Sequence, residues 1–370
     1  MPTPVRPNVL RMVPYSPGKP IDEVKRELGL DSVIKMASNE NPIGPSPKAI
    51  AAIQSAMSEL NLYPDGAAFG LKHAISEKFG IPAENIVIGN GSDEIIQNLG
   101  VIFLGKPTDE VIAATPSFSR YEAVGRLADC KVINVPLDKD LRHDLNAMAA
   151  AVTPNTKLVF IANPNNPTGT IISKTEFDAF LAKIPDSVTV ILDEAYYEFA
   201  CDTPDYVSSI PYVLAGRNVV GLRTFSKAYG LAGLRVGYGF VPNWIEDPIN
   251  RARLTFNVNN LAQLAGIAAL GDDEHVRRTL ENNKRGIEIL TKGLEAEGAA
   301  VTPTYTNFIF ADIHRSGREV FNELLKRGVI IRPGDIFGAP TFLRITVGTE
   351  AENLAFVEAF HSIMRQPATI

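Results

Sequence analysis

The residue with the clearest chemical potential is Lys227, which lies among hydroxyl side chains and glycines in residues 224–235. The apolar residues 219–222 predict a strand, so Lys227 is expected just past its carboxyl end, where open α/β sheets bind ligands. Partial burial and the charge of Arg235 would favour the neutral amine, which is the form that attacks a carbonyl carbon. A surface lysine and a salt-bridged arginine would be the ordinary alternative, so this segment alone leaves both interpretations open.

The same segment also offers donors for a phosphate. The hydroxyls of Thr224 and Ser226 and the guanidinium of Arg235 are groups to which phosphate oxygens bind. A lysine that attacks a carbonyl beside a phosphate site indicates a cofactor that carries both an aldehyde and a phosphate. We therefore predict pyridoxal 5'-phosphate (PLP).

Two other strand ends place polar side chains near the same edge of the predicted sheet. Asp193 follows the strand 188–192, and a carboxylate there could keep the pyridine nitrogen of PLP protonated. Tyr196, three residues on, could hydrogen-bond the phenolic oxygen of the cofactor. Asn166 lies in the turn 163–169, which is built from turn-forming residues. Each feature by itself also has a structural explanation, so the prediction depends on their convergence.

Residues 89–94, Gly-Asn-Gly-Ser-Asp-Glu, follow another predicted strand and open a helix. Glycines ahead of a helix expose backbone N–H groups to an anion. The third glycine of a dinucleotide fingerprint is missing, so the plainest interpretation is a helix start with Ser92 as N-cap. Together with Ser226 and Arg235, the segment would instead form part of a phosphate cup.

Length and composition limit the possible functions. The chain has 370 residues, of which 45% are hydrophobic and 21% charged, with a net charge of −6. This length allows two domains and a large core. Mild acidity without a basic run argues against nucleic-acid binding. No apolar stretch has the length of a signal peptide at the start or of a membrane span later, so we expect a cytoplasmic protein.

Cysteine and histidine spacing does not indicate a metal centre. Cys130 and Cys201 lie far apart, which favours neither a disulfide framework nor a thiolate site. The five histidines are scattered without the close pairs typical of ligands on one element. We therefore expect no metal ion.

Short apolar runs alternate with helical stretches from about residue 47. The runs are residues 86–88, 111–113, 132–135, 158–161, 188–192 and 219–222. Strands that are apolar on both faces and separated by helices are typical of a mainly parallel sheet covered on both sides. Ser173 and Glu176 form a capping-box sequence that predicts a helix start. We therefore expect a large α/β cofactor-binding domain over residues 46–255.

The two ends of the chain follow other patterns. Residues 1–45 are rich in proline and lack clear periodicity, which favours an extended arm contributing to the smaller domain and to dimer contacts. A helical stretch, residues 259–297, is followed by strands that alternate with helices. This pattern predicts a second, smaller α+β domain over residues 256–370.

With these residues placed, the chain resembles the class I and II aminotransferases of the fold-type I PLP enzymes, and most closely their histidinol-phosphate group. The resemblance spans nearly the whole chain. It is carried by residues 14–19, 38–42, 63–65, 163–169, 193–196, 226–227 and 342–348. It implies a fold-type I PLP transferase, with a mainly parallel central sheet flanked by helices and a smaller α+β domain.

The resemblance also implies roles for individual residues. Lys227 would bond covalently to PLP and move a proton between the substrate's α-carbon and the cofactor's C4′. Asp193 would pair with the pyridinium, and Asn166 and Tyr196 with the phenolic oxygen. Phe118 would stack on the ring, where many relatives have tyrosine. The residues implied around the phosphate are Ser92, Asp93, Thr224, Ser226 and Arg235.

Partner and substrate contacts follow from the same resemblance. Tyr63 is similar to the residue that reaches the neighbouring subunit's cofactor phosphate, which implies a homodimer with shared active sites. Arg344 matches the arginine that binds the substrate carboxylate, and in the histidinol-phosphate group it would face the phosphate, helped by Arg332 and Tyr15. Arg332 could instead be an ordinary salt-bridge arginine, and Tyr15 could serve packing. Asn39 completes the expected substrate-binding set.

These features predict reversible amino transfer between L-histidinol phosphate and 2-oxoglutarate, giving imidazole-acetol phosphate and L-glutamate in histidine biosynthesis. The alternative is an aminotransferase for phenylalanine or tyrosine, because a pocket for imidazole also admits phenyl rings. A decarboxylase or lyase for a phosphorylated amino acid would use the same cofactor cradle. A regulatory cofactor-binding domain agrees least with the sequence, since the first 45 residues are too short and proline-rich for a winged helix.

Overall fold

A computed structural model of the chain describes residues 4–14 and 19–365. Within them the α-helices are α1 (Pro7–Leu10), α2 (Ile21–Leu28), α3 (Pro47–Ala56), α4 (Phe69–Phe79), α5 (Ser92–Phe103), α6 (Arg120–Leu127), α7 (Leu145–Ala150), α8 (Lys174–Leu181), α9 (Tyr197–Ala200), α10 (Ile210–Leu214), α11 (Asn243–Ala252), α12 (Asn260–Leu270), α13 (Asp273–Glu295), α14 (Gly317–Lys326) and α15 (Glu350–Met364). The strands are β1 (Ile34–Lys35), β2 (Ile86–Gly89), β3 (Glu110–Thr115), β4 (Lys131–Pro136), β5 (Thr156–Ala162), β6 (Thr189–Asp193), β7 (Val219–Thr224), β8 (Gly237–Phe240), β9 (Ala300–Val301), β10 (Phe308–Asp312), β11 (Val329–Ile330), β12 (Arg332–Pro333) and β13 (Phe342–Thr346). Short 3-10 helices lie at Met57–Glu59, Ala83–Asn85, Ala232–Leu234 and Gly334–Phe337.

The large sheet runs in the order β2-β8-β7-β6-β5-β3-β4 among the described residues. Its strands from β7 to β4 are paired in parallel, whereas β8 is antiparallel to both of its neighbours. The apolar runs predicted as strands lie in β2 to β7, and the prediction of a mainly parallel sheet is confirmed. Strand β8 was not predicted, because two of its four residues are glycines, which are depleted in strands.

Both faces of the large sheet are covered by helices. Successive side chains point to opposite faces, so Phe160 and Ile191 join one apolar cluster with α5, α6 and α11. Val159 and Val190 join the other cluster, with α7 and α8. The predicted capping box is present at the start of α8, where Ser173 Oγ accepts from the Glu176 N–H and the Glu176 carboxylate accepts from the Ser173 N–H.

Helix α12 packs with the large sheet. Ala262, Ala265 and Ala269 lie in one buried cluster with Leu71 of α4 and Phe240 of β8. Helix α12 lies after residue 255, where the sequence analysis predicted the large domain to end. We therefore propose that the larger unit extends through α12.

The smaller α+β unit is built on an antiparallel sheet in the order β12-β13-β10-β9. Helices α13, α14 and α15 cover one face, with Leu290, Leu324 and Phe356 buried against Ile309 and Ile345 of the strands. The stretch predicted as helical contains α12 and α13. With α12 in the larger unit, the proposed lower bound moves from the predicted residue 256 to the start of α13, and the upper bound at residue 370 stays a prediction.

The N-terminal segment differs from the extended arm that the sequence favours. Val24 of α2 is fully buried with Ile330, and β1 pairs in parallel with β11. The side chain of Asn8 on α1 donates to two backbone carbonyls at the end of α6. The proline content concealed both helices, although proline is compatible with a helix start: Pro7 is the first residue of α1, and Pro20 is the N-cap of α2.

Candidate active site

A cavity of about 270 Å³ lies where the carboxyl ends of β5, β6 and β7 meet residues 37–40 and the smaller sheet. The predicted site residues that line it are Asn39, Ser92, Asp93, Phe118, Asn166, Asp193, Tyr196, Thr224, Ser226, Lys227, Arg235, Arg332 and Arg344. Tyr63 is not among the lining residues, and Tyr15 lies outside the described part of the chain. The sheet edge thus brings together side chains that are up to 305 positions apart in sequence, as Asn39 and Arg344 are.

Lys227 extends into this cavity from the loop after β7. Its Nζ donates to the Ser38 carbonyl at 3.4 Å. Burial lowers the pKa of Lys227 to about 8, and the nearby Arg344 guanidinium lowers it further than Arg235 does. The sequence had indicated Arg235 as the responsible cation; Arg344 is the stronger one because β13 brings its guanidinium to the cavity. The amine is therefore neutral in part near pH 7, as attack on a carbonyl requires.

Asp193, the last residue of β6, is a buried carboxylate held by two donors. The Tyr121 hydroxyl donates to Oδ2 at 2.7 Å, and the Ala195 N–H donates to Oδ1 at 3.1 Å. Burial raises the pKa of Asp193 to about 6. Among the described residues, no lysine, arginine or histidine lies within ion-pair distance of it. A buried anion is costly without a cation, so this position fits a ligand that carries a protonated ring nitrogen.

Tyr121 is a site residue that the sequence analysis missed. It lies in the first turn of α6, where an aromatic residue is ordinarily part of the core, and its ring stacks on Phe160 with a centroid distance of 4.8 Å. The ring of Phe118 meets it edge to face at 5.6 Å. Tyr121 lies three residues after Phe118, a spacing that lets both rings face the cavity. This spacing is the signal in the sequence that could have found Tyr121.

Asn39 and Tyr196 form a second linked pair. The Asn39 amide donates to the Tyr196 hydroxyl at 2.8 Å, and its Oδ1 accepts from the Thr346 hydroxyl at 3.0 Å. Asn39 was predicted to contact the substrate. Its side chain lines the cavity, but both ends of its amide are engaged within the protein, so its evident role is to orient Tyr196.

The N terminus of α5 borders the cavity, which Ser92 and Asp93 of its first turn line. Its N-cap is Gly91, at φ 75°, and no side chain caps it. The prediction of Ser92 as N-cap is wrong, because the chain turns at a positive φ that glycine adopts readily, and Ser92 is already the first helical residue. The free N–H groups of this helix end and the hydroxyls of Ser92 and Ser226 are available to an anion, and the Thr224 hydroxyl donates to Ser226 Oγ at 2.9 Å.

Two glycines next to the start of α5, Gly91 and Gly237, leave no room for a side chain. A Cβ at Gly91 would lie 2.6 Å from Arg235 Nη2, and a Cβ at Gly237 would lie 2.5 Å from the backbone nitrogen of Ser92. Asp93 lies between two cations, with Arg120 Nε 3.3 Å away and Arg235 Nη2 4.0 Å away. A lone carboxylate would repel a phosphate. The effect of Asp93 is therefore to hold the guanidinium groups of Arg120 and Arg235 in place.

Arg332 and Arg344 are cross-strand partners in the smaller sheet, and both line the cavity. The Arg344 guanidinium lies 5.3 Å from the ring centroid of Phe308 and 5.4 Å from that of Phe337. Two guanidinium groups at one end of a cavity form a site for carboxylate or phosphate oxygens.

A buried ion pair, also missed, joins the two strands that carry the site. Arg223 Nε lies 3.2 Å from Glu194 Oε2, and both side chains are almost fully buried. The guanidinium lies 3.3 Å from the ring centroid of Tyr197. Because Glu194 follows Asp193 and Arg223 precedes Thr224, the pair fixes the ends of β6 and β7 relative to each other.

Tyr63 lies on the surface, apart from the cavity. Its ring is 80% exposed and stacks on Phe256 with a centroid distance of 4.4 Å. Tyr63 is not among the residues that line the cavity of its own chain. The sequence prediction that it serves a neighbouring subunit stays a prediction.

The fold and the site together define an aminotransferase of fold type I. Residues 31–360 match the family described as aminotransferase class I and II, and the chain belongs to this family. The family expected from the sequence is confirmed.

Relatives and solved structures extend the comparison. The histidinol-phosphate aminotransferase of Moorella thermoacetica is 52% identical over 97% of this chain and 92% of its own length. That of Akkermansia muciniphila is 47% identical over 96% and 98%. The crystal structure of histidinol-phosphate aminotransferase from Sinorhizobium meliloti in complex with PLP superposes with a TM-score of 0.91 at 26% identity, covering 99% of this chain and 98% of that one.

Proposed function

We propose that this chain catalyses PLP-dependent amino transfer from L-histidinol phosphate to 2-oxoglutarate, giving imidazole-acetol phosphate and L-glutamate in histidine biosynthesis. The observation that carries the proposal is the convergence of Lys227, Asp193 and two arginines on one cavity. Relatives of that named activity at up to 52% identity support the substrate.

The residues present fit PLP. Lys227 offers a partly neutral amine for the aldehyde, and Asp193 offers a buried anion for the ring nitrogen. Phe118 offers a ring face, and the N terminus of α5 with Arg235 offers a phosphate site. When bound, PLP supplies a carbonyl that reacts with amines and a ring that accepts the electron pair left when the α-proton departs.

Proton transfer is the task of Lys227. Its Nζ would accept the α-proton of the substrate as base and pass it as acid to the C4′ atom of the cofactor, and a pKa of about 8 suits both steps near neutral pH. Asp193 supplies a buried carboxylate in the same cavity. The Tyr196 hydroxyl is held by Asn39, and the Tyr196 ring centroid lies 5.8 Å from Lys227 Nζ.

Substrate binding is the task of Arg344 and Arg332. Their guanidinium groups bind the phosphate of histidinol phosphate in one half-reaction and a carboxylate of glutamate or 2-oxoglutarate in the other. One anion site thus serves a phosphate in one half-reaction and a carboxylate in the other.

A homodimer with shared active sites and a cytoplasmic location are further parts of the proposal. Tyr63 and Phe256 form an exposed aromatic pair, and neighbouring Leu60 and Leu62 are more than 60% exposed. A second copy covering this surface would remove apolar area from water and place Tyr63 near the partner's cavity. In the described residues, no helix combines the length and apolarity needed to cross a membrane.

A substrate panel tests the function. The purified PLP-loaded chain is assayed with histidinol phosphate, histidinol, phenylalanine and tyrosine, each with and without 2-oxoglutarate. We expect kcat/KM for histidinol phosphate to exceed that for histidinol by about 100-fold or more, because histidinol lacks the phosphate that the two guanidinium groups bind. A preference for the aromatic amino acids would contradict the proposed substrate. Turnover without 2-oxoglutarate would indicate a decarboxylase or lyase.

A further inference from the structure

The carboxylate of Asp193 is held on both oxygens by groups from different elements. The Ala195 N–H donates to Oδ1 from the same strand end, whereas the Tyr121 hydroxyl donates to Oδ2 from α6. Tyr121 is 1% exposed, and its ring is fixed between Phe160, stacked at 4.8 Å, and Phe118, edge on at 5.6 Å. A ring packed on both sides has little freedom, so its hydroxyl sets where Oδ2 lies.

This hydrogen bond also acts on the charge of Asp193. Burial favours the neutral acid, and the carboxylates of Asp93 and Glu194 act in the same direction. The bonds from the Tyr121 hydroxyl and the Ala195 N–H oppose it, because they stabilise the anion. Titratable or charged groups around Asp193 are Tyr121 on α6, Asp93 on α5, Glu194 and Tyr196 next to it in the chain, and Lys227 across the cavity.

We propose that Tyr121 is a positioning residue for the cofactor ring: its hydroxyl aims the Asp193 carboxylate at the ring nitrogen and keeps it ionised there. This inference depends on the proposed use of PLP and goes beyond the roles implied by the family resemblance. Tyr121 acts through Asp193, to which its hydroxyl donates.

The test uses the full chain with Tyr121→Phe, which removes one oxygen and keeps the packed ring. Tyr212→Phe is the matched control, because the Tyr212 hydroxyl donates to Asp178 Oδ1 at 2.5 Å outside the cavity. The affinity of each cofactor-free variant is measured by titration with PLP and with the analogue in which carbon replaces the ring nitrogen. Thermal unfolding of each variant is recorded alongside.

We expect Tyr121→Phe to weaken PLP binding by about 10- to 100-fold, the loss typical of a hydrogen bond to a charged group. Binding of the carbon analogue should change by less than about threefold, because that ring has no nitrogen for Asp193 to meet. Tyr212→Phe should lower the thermal midpoint without changing either affinity. Equal weakening of PLP and the analogue, or no weakening of PLP, would overturn the proposal.

The pH profile provides a second readout. PLP affinity of the wild-type chain should fall as the pH drops through about 6, where Asp193 gains a proton. In Tyr121→Phe the midpoint of this fall should move to higher pH, because the anion has lost a donor. An unchanged midpoint would mean that Tyr121 does not act through Asp193.

A double variant separates this inference from packing effects. If Tyr121 acts through Asp193, the weakening of PLP binding in Asp193→Ala should not increase when Tyr121→Phe is added. Additive losses would contradict the inference. These experiments need no substrate, so a wild-type chain that binds PLP but does not use histidinol phosphate would refute the proposed substrate and leave the role of Tyr121 intact.

Discussion

Arg344 Nη1 donates a hydrogen bond of 2.6 Å to Asn166 Oδ1. Arg344 belongs to the smaller sheet and Asn166 to the loop after β5, so the bond crosses between the two sheets. A second bond, from Arg344 Nη2 to the Ala37 carbonyl at 2.8 Å, fixes the same guanidinium to the N-terminal segment. The proposed substrate-binding cation and a proposed cofactor-binding amide are therefore parts of one network.

Arg344→Lys tests this network. Lysine keeps the charge but cannot bridge Asn166, Ala37 and a substrate anion at once, so KM for histidinol phosphate should rise by about 10- to 100-fold. The bound cofactor should stay, with a shifted absorbance because Asn166 loses its donor. Arg318→Lys is the control, since Arg318 pairs with Asp335 away from the cavity. Loss of the cofactor from Arg344→Lys would contradict the assignment of Arg344 to substrate binding.

The low pKa of Lys227 predicts a pH dependence. Only the neutral amine attacks the aldehyde, so the rate at which PLP attaches to the cofactor-free chain should rise with pH through about 8 and level off above it. Stopped-flow absorbance measures this rate. In Arg344→Met the midpoint should move to higher pH, because a neighbouring cation is gone. A midpoint at the ordinary lysine value of 10.5 would contradict the burial of this amine.

Asp193 should cost the cofactor-free protein stability. Its folded pKa of about 6 lies above the model-compound value of 3.8, so the folded chain binds more protons than the unfolded chain between those pH values. Stability from this group is thus full below about pH 3.8, is lost as the pH rises from there through about 6, and stays lost at higher pH. Asp193→Asn should raise the free energy of unfolding at pH 7 by about 1–3 kcal/mol and leave it nearly unchanged at pH 4. Urea unfolding measures both.

Asp178→Asn is the control of opposite sign. The hydrogen bond from Lys174 lowers the pKa of Asp178, and that from Tyr212 lowers it further. Its stabilising effect is therefore present at pH 7 and lost in acid, so Asp178→Asn should destabilise the chain at pH 7. A stabilising effect in both variants would show that charge burial is not the cause.

Gly91→Ala should weaken the phosphate site. Alanine at this positive φ is strained, and its Cβ would displace the Arg235 guanidinium, so we expect PLP affinity to fall by about 10-fold or more. Gly216→Ala is the matched control, because Gly216 also has a positive φ but its Cβ would meet no atom within 4 Å. Both variants should lose stability, and only Gly91→Ala should lose cofactor affinity. Equal PLP affinity in the two variants would contradict the site.

Subunit complementation tests the shared active site. Lys227→Ala should be inactive, and Tyr63→Ala should be weakly active at limiting PLP. Mixed and refolded together, they should recover up to about a quarter of wild-type activity, because half of the dimers are hybrid and one of their two sites is intact. No recovery, with hybrid dimers shown to form, would place Tyr63 outside the partner's site.

Much of the fold and most of the site could be predicted from the sequence. Strands β2 to β7 were recognisable because parallel strands covered on both faces are continuous apolar runs. Lys227, Asp193 and Asn166 were recognisable because each follows such a run, and strand ends meet at one edge. Strand β8 and the helices α1 and α2 were not, because glycine and proline concealed them.

Local sequence patterns were enough to predict the class of chemistry, because reactive residues at strand ends and turns can be recognised without the fold. Which of these groups act on one another depends on how the chain packs. Tyr121 reaches Asp193 from 72 positions away, and Arg344 reaches Asn166 from 178 positions away. The same contacts make Arg344, and not Arg235, the stronger influence on Lys227. Hydrogen bonds and charge effects depend on distance in space, which packing of the two sheets sets and local sequence does not.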